Sequence, residues 1–483
     1  MKLIMAFQSM WEFMEKVRET GDLRVVDGAD WNLEIGAITE VASQMPDPPM
    51  VLFDEIKGYP KGFRVVSNVL ESPKRLTLAV GLPTHLKGIA LANAWRERLD
   101  KFTPIPPREV SDGVVMENVM KGDEVDMLKF PTPLWHDLDG GRFIGSGCMV
   151  VSRDPDEGWI NIGSYRNQIF DKNKLGCHSA PQRHVSIMMR KYWKRNENCP
   201  IVITFGQEPG TYLPAAQFNA WGASELDVAG GIRGEPVEII RGPITGLPIL
   251  ANAEIAIEGE IPPTDVESHA EGPFGEYPGY YTMGSEKDPV IRVKAVYHRN
   301  DPIIWGFPPL KPPAFIRYGA AFSAARVWNT LNKTGLPGIT GVWANEASAT
   351  FITIVSIRQS YPGHSAQVGA LAATVPGRSV TRYVIVVDDD IDPSDIDQVM
   401  WALGTRSDPE TSINFIGGQP CGPIDPRMSP EKKQRREFFS TVAVIDACKP
   451  YAWRDKFPPN NEFSKEAKAE IIKKWGSVLG IVS

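Results

Sequence analysis

Short apolar runs bounded by glycine or proline fill the chain from about residue 115 to residue 315. The runs read FIGSGCMVV, WINIGSY, CPIVITFG, VEIIRG, EIAIEGEI and IRVKAVYH. Evenly spaced runs of this length are typical of strands in a β-barrel or sandwich, because glycine and proline end each strand early. The 43 glycines and 41 prolines of the chain exceed average usage and agree with many loops and short strands. The centre of the chain is therefore predicted to be a barrel or sandwich.

Helical spacing marks both ends of the chain. Trp11, Met14 and Val17 share one helical face that ends at Gly21, and the strand-like LRVV follows. This pattern predicts an N-terminal α/β domain over residues 1–112, with PIPPREVSDG as its linker. After a central domain at 113–318, the helical AAFSAARVWNTLNKTG, the strand TRYVIVV, the capped helix SDIDQVMWALGTR and an amphipathic helix after Ser464 predict a C-terminal α/β domain at 319–483.

Composition excludes several classes of protein. A chain of 483 residues with 42% hydrophobic content is long enough for two to four domains. Its net charge of −7 and the lack of a long Lys/Arg run argue against nucleic acid or an anionic membrane as partner. The five cysteines are scattered without a CxxC pair, which favours a reducing compartment over a disulfide framework. No signal peptide or membrane-length run is present, so we expect a cytoplasmic protein.

Several familiar motifs are missing. The sequence has no GxxxxGK[ST], GxSxG or HExxH, and GGIRG at 230–234 lacks the spacing of a dinucleotide site. The acidic run at 388–397 resembles an EF-hand loop only at its start, because Pro393 and Val399 stand where glycine and glutamate are needed. The end of a strand followed by a helix cap is the preferred interpretation of that run.

The segment EGPFGEYPGYY (271–281) holds Glu271 and Glu276 among three glycines and two prolines. Proline fixes φ and lacks a donor, so a helix or central strand is not expected here. From this segment alone, a solvated acidic loop and a stiff platform for two catalytic carboxylates are equally compatible.

Polar residues follow the predicted central strands. Asn161, His184 and Glu225 would supply oxygen, nitrogen and oxygen ligands, a set that suits Mg²⁺ or Mn²⁺. Most single histidines are packing or surface residues, and nothing in the spacing proves that the three converge. Arg166 could hold a carboxylate with two hydrogen bonds, although a structural ion pair fits equally.

Taken together, seven separated motifs closely resemble the UbiD family of reversible decarboxylases, which use prenylated FMN, and specifically its aryl-acid type. The matching segments are FPTPLWHDLDGGRFIG (130–145), NIGSYR (161–166), QRH (182–184), SEL (224–226), AEIAIEGEI (253–261), EGPFGEYPGY (271–280) and DIDPSDIDQVMWALGTR (390–406). The resemblance covers nearly the whole chain. It implies an N-terminal α/β domain, a central split β-barrel of flavin-reductase type, and a C-terminal α/β domain that forms a homodimer or higher oligomer.

The resemblance also implies the ligands of the site. A divalent metal, usually manganese, would be bound by Asn161, His184 and Glu225 and would bridge to the cofactor phosphate. Carbonyls near Pro214, Ala215 and Gln217 would hold K⁺. The residues implied to bind the cofactor are Asn161, Ile162, Ser164, Tyr165, Arg166, Arg183, His184 and Glu225.

Arg166, Glu271 and Glu276 match the family's Glu-Arg-Glu network beside the flavin. The resemblance implies a covalent adduct between prenylated FMN and the substrate, loss of CO2, and protonation of the product by Glu276. Glu271 is expected to be paired with Arg166 and ionised, and Glu276 to be protonatable in an apolar pocket. The stiff loop would then hold the proton donor within reach of one carbon.

Substrate and partners follow from the same resemblance. Arg183 stands where acrylic-acid members tend to carry glutamine, which favours an aryl or hydroxyaryl acid. A flavin prenyltransferase is the expected supplier of the cofactor, Arg378 or Arg382 is a candidate phosphate contact, and the loop 306–315 is expected to border the substrate pocket. The alternatives are an FMN-dependent oxidoreductase, which NAD(P)H would bleach, and a subunit of a multi-component carboxylase.

Overall fold

The computed structural model describes residues 7–145, 147–217, 219–282, 284–314, 317–376 and 381–481. The helices in these ranges are α1 (Met10–Glu19), α2 (Glu34–Ser43), α3 (Pro73–Ala79), α4 (Gly88–Lys101), α5 (His184–Lys194), α6 (Pro209–Ala216), α7 (Glu225–Arg233), α8 (Arg317–Lys333), α9 (His364–Ala373), α10 (Ile396–Arg406), α11 (Pro430–Gln434) and α12 (Lys465–Trp475). Short 3-10 turns lie at Val114–Met116, Gly122–Glu124, Met127–Lys129, Glu346–Ser348 and Tyr451–Lys456.

The strands in the same ranges are β1 (Leu23–Asp27), β2 (Met50–Asp54), β3 (Arg64–Ser67), β4 (Arg108–Glu109), β5 (Asn118–Lys121), β6 (Phe143–Gly145), β7 (Cys148–Arg153), β8 (Ile160–Gly163), β9 (Asn167–Asp171), β10 (Lys174–Gly176), β11 (Cys199–Phe205), β12 (Glu238–Arg241), β13 (Pro248–Leu250), β14 (Ile255–Ile261), β15 (Ser268–Glu271), β16 (Phe274–Glu276), β17 (Tyr280–Thr282), β18 (Ser285–His298), β19 (Ile303–Trp305), β20 (Ile339–Ala344), β21 (Ile352–Ile357), β22 (Tyr383–Asp388), β23 (Ile413–Pro420) and β24 (Phe439–Ala447).

The N-terminal sheet has the order β1-β2-β3-β19 and confirms the predicted α/β character of this end of the chain. Helix α1 begins after Ser9, whose hydroxyl accepts from the Glu12 amide, and its buried face includes Met14 and Val17. The outer strand β19 lies parallel to β3 although it follows the whole central sheet in sequence. The N-terminal sheet is therefore completed by a late segment of the chain.

The predicted barrel-like centre is confirmed as one large, mostly antiparallel sheet. Its strands run β6-β9-β10-β18-β14-β11-β7-β8, with β5 and β15 added on β18. The apolar run CPIVITF of β11 pairs along its length with β14, and Ile201 and Ile203 are fully buried. The segment predicted as a linker instead contributes β4, which pairs with β12 in a small separate sheet.

The acidic segment at 271–281 is more regular than the sequence suggests. β16 and β17 form a two-stranded hairpin, and β15 pairs with the edge of β18 up to Glu271. Gly272 follows Glu271 at a φ of 78°, a conformation that side chains rarely adopt. The glycines and prolines therefore shape a tight hairpin rather than an irregular loop.

The C-terminal sheet has the order β20-β21-β22-β24-β23. The predicted helices appear as α8, α10 and α12, the last two beginning with side-chain caps from Asp395 and Ser464. The acidic run at 388–397 is a strand end and helix cap, as expected. Helix α8 packs on α4 through Trp95 and Phe322, whose ring centres are 4.5 Å apart.

All five cysteines are buried and none forms a disulfide. Across the described ranges, every helix falls short of the length and apolar character that a membrane crossing requires.

Candidate functional site

A cavity open to solvent lies at one end of β8, where α5 and α7 begin and α6 ends. It is lined by Asn161, Ile162, Gly163, Ser164, Tyr165, Gln182, Arg183, His184, Ala215, Gln217, Asn219 and Glu225. Four separate segments, at 161–165, 182–184, 215–219 and Glu225, thus converge here. With the exception of Arg166, every residue predicted to bind the cofactor lies on this wall.

The three predicted metal ligands come together in the cavity. His184 is the first residue of α5, and its Nδ1 lies 3.1 Å from Oδ1 of Asn161 on β8. Glu225 is the first residue of α7, behind the capping residue Ser224, and its Oε2 accepts from the Ile162 amide at 2.9 Å. Helix starts therefore aim two of the three donors into the cavity.

Burial shapes the charge of this donor set. It raises the pKa of Glu225 to about 7, against the opposing effect of hydrogen bonds from Ile162 and Asn219. It also lowers the pKa of His184, helped by the neighbouring charge of Arg183. Among the described residues, the buried Glu225 carboxylate forms no ion pair. Together with a neutral imidazole it makes a site that a divalent cation would stabilise.

Two tryptophans cover the histidine. Trp159 and Trp221 meet the His184 ring edge-on, with ring centres 5.3 and 5.2 Å away. The two indoles also pack against each other, with ring centres 4.8 Å apart. This packing fixes the imidazole and reduces its contact with water.

Arg166 comes directly after Tyr165, the last residue of the segment 161–165 in the cavity wall. It forms hydrogen bonds with both glutamates of the segment 271–281. Its Nε and Nη2 donate to the two oxygens of Glu271 at 2.6 and 2.7 Å, and its Nη1 donates to Glu276 at 2.8 Å. The Glu271 side chain is fully buried, whereas that of Glu276 is 22% exposed. From the sequence, Glu271 is expected to be paired with Arg166 and Glu276 to lie in an apolar pocket. In the structure Glu276 is also paired with Arg166.

The hairpin is fastened to the neighbouring loop by close contacts. Gln168 donates to the Gly140 carbonyl at 2.9 Å and accepts from the Gly272 amide at 2.9 Å. The Gly140 amide donates to the Pro273 carbonyl at 2.8 Å, and the Phe274 ring stacks on Phe143. The carboxylates are therefore held by backbone as well as side-chain contacts.

The residues predicted to contact the cofactor phosphate, to border the substrate pocket and to bind K⁺ have different outcomes. Arg382 donates to Asp425 at 2.6 Å, so its guanidinium is engaged within the C-terminal domain. Arg378 lies outside the described residues, as does the last residue of the loop 306–315. At the carbonyls predicted to bind K⁺, Pro214 accepts from Asn219 and Ala215 accepts from the Ser164 amide.

Sequence reasoning missed several side chains of the site. Gln168, Asn219 and the two tryptophans occupy loops or strands whose apolar pattern gives no functional signal. His178 and Asp288 were also missed, although they contact the glutamate network, because the pair joins segments that are far apart in sequence. Asp288 follows Glu286 and Lys287 at the polar start of β18, so its burial leaves no signal in the sequence.

Three models of one family match the chain in order. They describe the N-terminal domain of 3-octaprenyl-4-hydroxybenzoate carboxy-lyase at residues 14–95, its Rift-related domain at 108–312 and its C-terminal domain at 317–447. Together the three matches cover most of the chain.

Individual proteins agree with the family models. A pyrrole-2-carboxylic acid decarboxylase of Pseudomonas aeruginosa is 34% identical over 418 residues, 82% of each chain. A phenolic acid decarboxylase of Bacillus subtilis is 31% identical over 459 residues, which cover 93% of this chain and 94% of the relative. The solved structure of the UbiD-class enzyme HmfF from Pelotomaculum thermopropionicum in complex with FMN has a TM-score of 0.84 at 26% identity, covering 95% of this chain and 98% of that one.

Matches to all three domains, in their expected order, together with relatives above 30% identity along most of their length, show that this chain belongs to the UbiD family of carboxy-lyases.

Proposed function

We propose that this protein catalyses reversible, non-oxidative decarboxylation of an aromatic or heteroaromatic carboxylic acid, hydroxyaryl acids included. The observation that supports it most directly is the Glu271–Arg166–Glu276 network beside a cavity with an oxygen, nitrogen and oxygen donor set. The relatives named for phenolic acids and for pyrrole-2-carboxylic acid act on substrates of this chemical class.

The metal of the proposal is Mn²⁺ or Mg²⁺, held by Asn161, His184 and Glu225. The fit rests on the donors themselves: one amide oxygen, one imidazole and one buried carboxylate face a cavity open to solvent. A divalent cation would offset the burial of the Glu225 charge. The K⁺ site is proposed at the same wall, where Ala215 and Gln217 lie.

Prenylated FMN is proposed as the cofactor, bound through the metal held by Asn161, His184 and Glu225. The other residues proposed to bind it are Ile162, Ser164, Tyr165, Arg166 and Arg183. HmfF, a structural relative, was solved in complex with FMN, and the cavity here offers backbone and side-chain polar groups around the donor set. When bound, the prenylated flavin would supply the electron sink that an aryl carboxylate needs in order to lose CO2.

The chain's own residues would then transfer a proton to the product carbon that has lost CO2. Arg166 is fixed by its two bonds to Glu271, so its third nitrogen presents a constant contact to Glu276. Glu276 is the proposed proton donor to the product, and its partly exposed side chain can recover a proton from water. In the reverse direction Glu276 would remove that proton, and Glu271 would remain ionised.

Four further elements belong to this proposal. A flavin prenyltransferase supplies the cofactor, the location is cytoplasmic, and the domains divide at 1–112, 113–318 and 319–483. The protein is proposed to form a homodimer or higher oligomer, which the exposed apolar side chains of α12 support: Ile471, Ile472 and Trp475.

The test is to co-produce the protein with a flavin prenyltransferase, release the bound ligand, and measure its mass, its absorption spectrum and the metal content. A prenylated FMN mass with bound manganese, and CO2 release from a panel of aryl and heteroaryl acids, are the expected results. Plain FMN that NAD(P)H reduces, with no CO2 from any acid, would contradict the proposal and favour an oxidoreductase.

A further inference from the structure

A second charged pair lies behind the glutamate network. Nδ1 of His178 donates to Oδ2 of Asp288 at 2.8 Å, and the same nitrogen is 3.6 Å from Oε2 of Glu271. The Asp288 side chain is 8% exposed and the His178 side chain 31% exposed. His178 therefore lies between a buried aspartate and the buried glutamate of the network, with one side towards solvent.

The fold fixes this arrangement. The His178 amide donates to the Arg166 carbonyl at 3.1 Å, so the histidine and the arginine occupy neighbouring chain segments. The Cys177 amide donates to the Pro289 carbonyl on β18, next to Asp288. Glu271 ends β15, which pairs with β18. The residues that carry the imidazole, the guanidinium and the carboxylates of Glu271 and Asp288 therefore lie on chain segments joined by backbone hydrogen bonds.

The three groups His178, Glu271 and Asp288 offer ligand atoms close enough together to hold a metal ion. A metal is not the better explanation, because Arg166 already engages both oxygens of Glu271. A proton on the imidazole would satisfy the same two carboxylates without displacing the arginine. The cluster therefore points to a charge-balancing histidine.

A proton on the His178 imidazole would offset part of the negative charge of the neighbouring carboxylates. Arg166 is paired with two carboxylates, Glu271 and Glu276, and Asp288 adds a third carboxylate to the cluster through its contact with His178. A positive His178 would lower the electrostatic penalty of keeping Glu271 ionised, since an opposite charge within about 4–6 Å favours the charged form. Without it, Glu271 would compete with Glu276 for the proton that they can share.

We propose that His178, held by Asp288, is a positioning residue that keeps Glu271 ionised and bound to Arg166, so that the transferable proton resides on Glu276. This inference rests on the proposed function for its catalytic consequence, but the electrostatic coupling itself does not depend on any activity. The groups that face His178 are Asp288 on β18, Glu271 on β15 and, behind Glu271, Arg166. The Cys177 thiol beside Asp288 stays protonated, because burial raises its pKa.

The coupling is tested by NMR titration of the histidine ring signals in the holoenzyme. Seven histidines are present in the chain, and His178→Asn assigns the signal of interest. The titration midpoint of His178 should fall by roughly one unit or more in Asp288→Asn and also fall in Glu271→Gln, because each variant removes a negative charge from its surroundings. The exposed His85 serves as an internal control whose midpoint should not move. An unchanged His178 midpoint in Glu271→Gln would overturn the proposal.

Kinetics provides the second readout. Asparagine places an amide nitrogen where His178 has Nδ1, so it keeps the bond to Asp288 but cannot become charged. The kcat/KM ratio of wild type to His178→Asn should be about tenfold at low pH and approach one above the His178 midpoint, since one pKa unit corresponds to a tenfold change in proton occupancy. A ratio that is the same at every pH would mean a merely structural role and would overturn the proposal. Failure of the proposed function is seen separately, as a wild-type holoenzyme that releases no CO2.

Discussion

At the scale of single residues, the two glutamates of the hairpin differ in how Arg166 holds them. Glu271 has two bonds to the guanidinium and no exposure, and Glu276 has one bond and a partly exposed side chain. Because its side chain is in contact with solvent, Glu276 is better placed than the fully buried Glu271 to exchange a proton with water. The role of proton donor, which the family resemblance implies for Glu276, stays a prediction.

Glu276→Gln should reduce kcat by about 100-fold or more, the range expected when a general acid is removed. Glutamine keeps the size and the hydrogen bond to Arg166, so cofactor content should not change. Turnover and bound flavin are measured on the same preparation. Glu286→Gln, on the exposed part of β18, is the matched control and should behave as wild type. Near wild-type turnover in Glu276→Gln would assign proton donation to another group.

Glu225→Gln should weaken Mn²⁺ binding by about tenfold or more, because loss of even an outer partner of a metal ligand weakens binding by roughly 10–100-fold. Binding is measured by calorimetry or by metal content after dialysis, and the adjacent Trp221 offers a fluorescence signal. Glu197→Gln, at an exposed position, should bind as wild type does. Equal affinity in Glu225→Gln would remove this residue from the donor set.

At the scale of elements, the site depends on a hairpin that is closed against the loop at 140. A Cβ atom on Gly140 would lie 1.9 Å from the Gly272 carbonyl oxygen, so the two backbones meet without room for a side chain. The Gln168 side chain and the stack of Phe143 on Phe274 complete the contact. The spacing of the carboxylates from the cavity is thus set by main-chain packing.

Gly140→Ala should displace the hairpin and lower kcat strongly while the protein still folds. The matched control is Gly404→Ala in α10, where a Cβ meets no described atom within 4 Å. That control should keep full activity and gain up to about 1 kcal/mol of stability, because alanine is the better helix residue. Activity and thermal midpoint are measured for both variants. Wild-type kcat in Gly140→Ala would show that the hairpin position is not critical.

The sequence predicts helices and strands better than it predicts which strands pair and which side chains meet. Periodicity and caps correctly indicated α1, α8, α10, α12 and the strands of the central sheet, because these signals are local. Strands of two or three residues, such as β4 and β19, leave no periodic trace. The ligand residues were proposed from motif resemblance, since convergence of Asn161, His184 and Glu225 is a product of tertiary packing. The contacts from Asp288 through His178 to Glu271 join segments that are far apart in sequence, so no local pattern predicts them.

At the scale of the whole molecule, His298 lies where the central sheet meets the N-terminal domain. Its ring packs edge-on against Phe63 and Phe130, and its Nδ1 donates to the Arg299 carbonyl at 2.9 Å. Its Nε2 is buried without a partner among the described residues. Burial, and to a smaller extent the charge of Lys129, lowers the pKa of His298.

Stability should therefore decrease in acid. Because the folded pKa of His298 is below the unfolded value of about 6.5, the unfolded chain binds the proton more readily, and stability is lost as pH falls from about 6.5 through the folded pKa. His298→Phe should show a smaller loss of unfolding free energy between pH 7.5 and 5.5 than wild type, as measured by urea titration. His85→Ala, at an exposed position, should keep the wild-type loss. An equal loss in His298→Phe would exclude this residue as the cause.

Assembly is the second property at this scale. Trp475→Glu places a charge on the exposed apolar face of α12 and should shift the protein towards monomer in light scattering after gel filtration. Glu470→Gln, on the same helix at an exposed position, should leave the assembly unchanged. An unaltered mass in Trp475→Glu would indicate that the subunits meet through another surface.

The position of β19 has a consequence for biosynthesis. The ribosome releases β1, β2 and β3 early, but the strand that completes their sheet emerges only after the entire central domain has been made. Until then β3 presents an open edge, which is a site for pairing with other chains. The N-terminal sheet is therefore complete only after the central domain has been made.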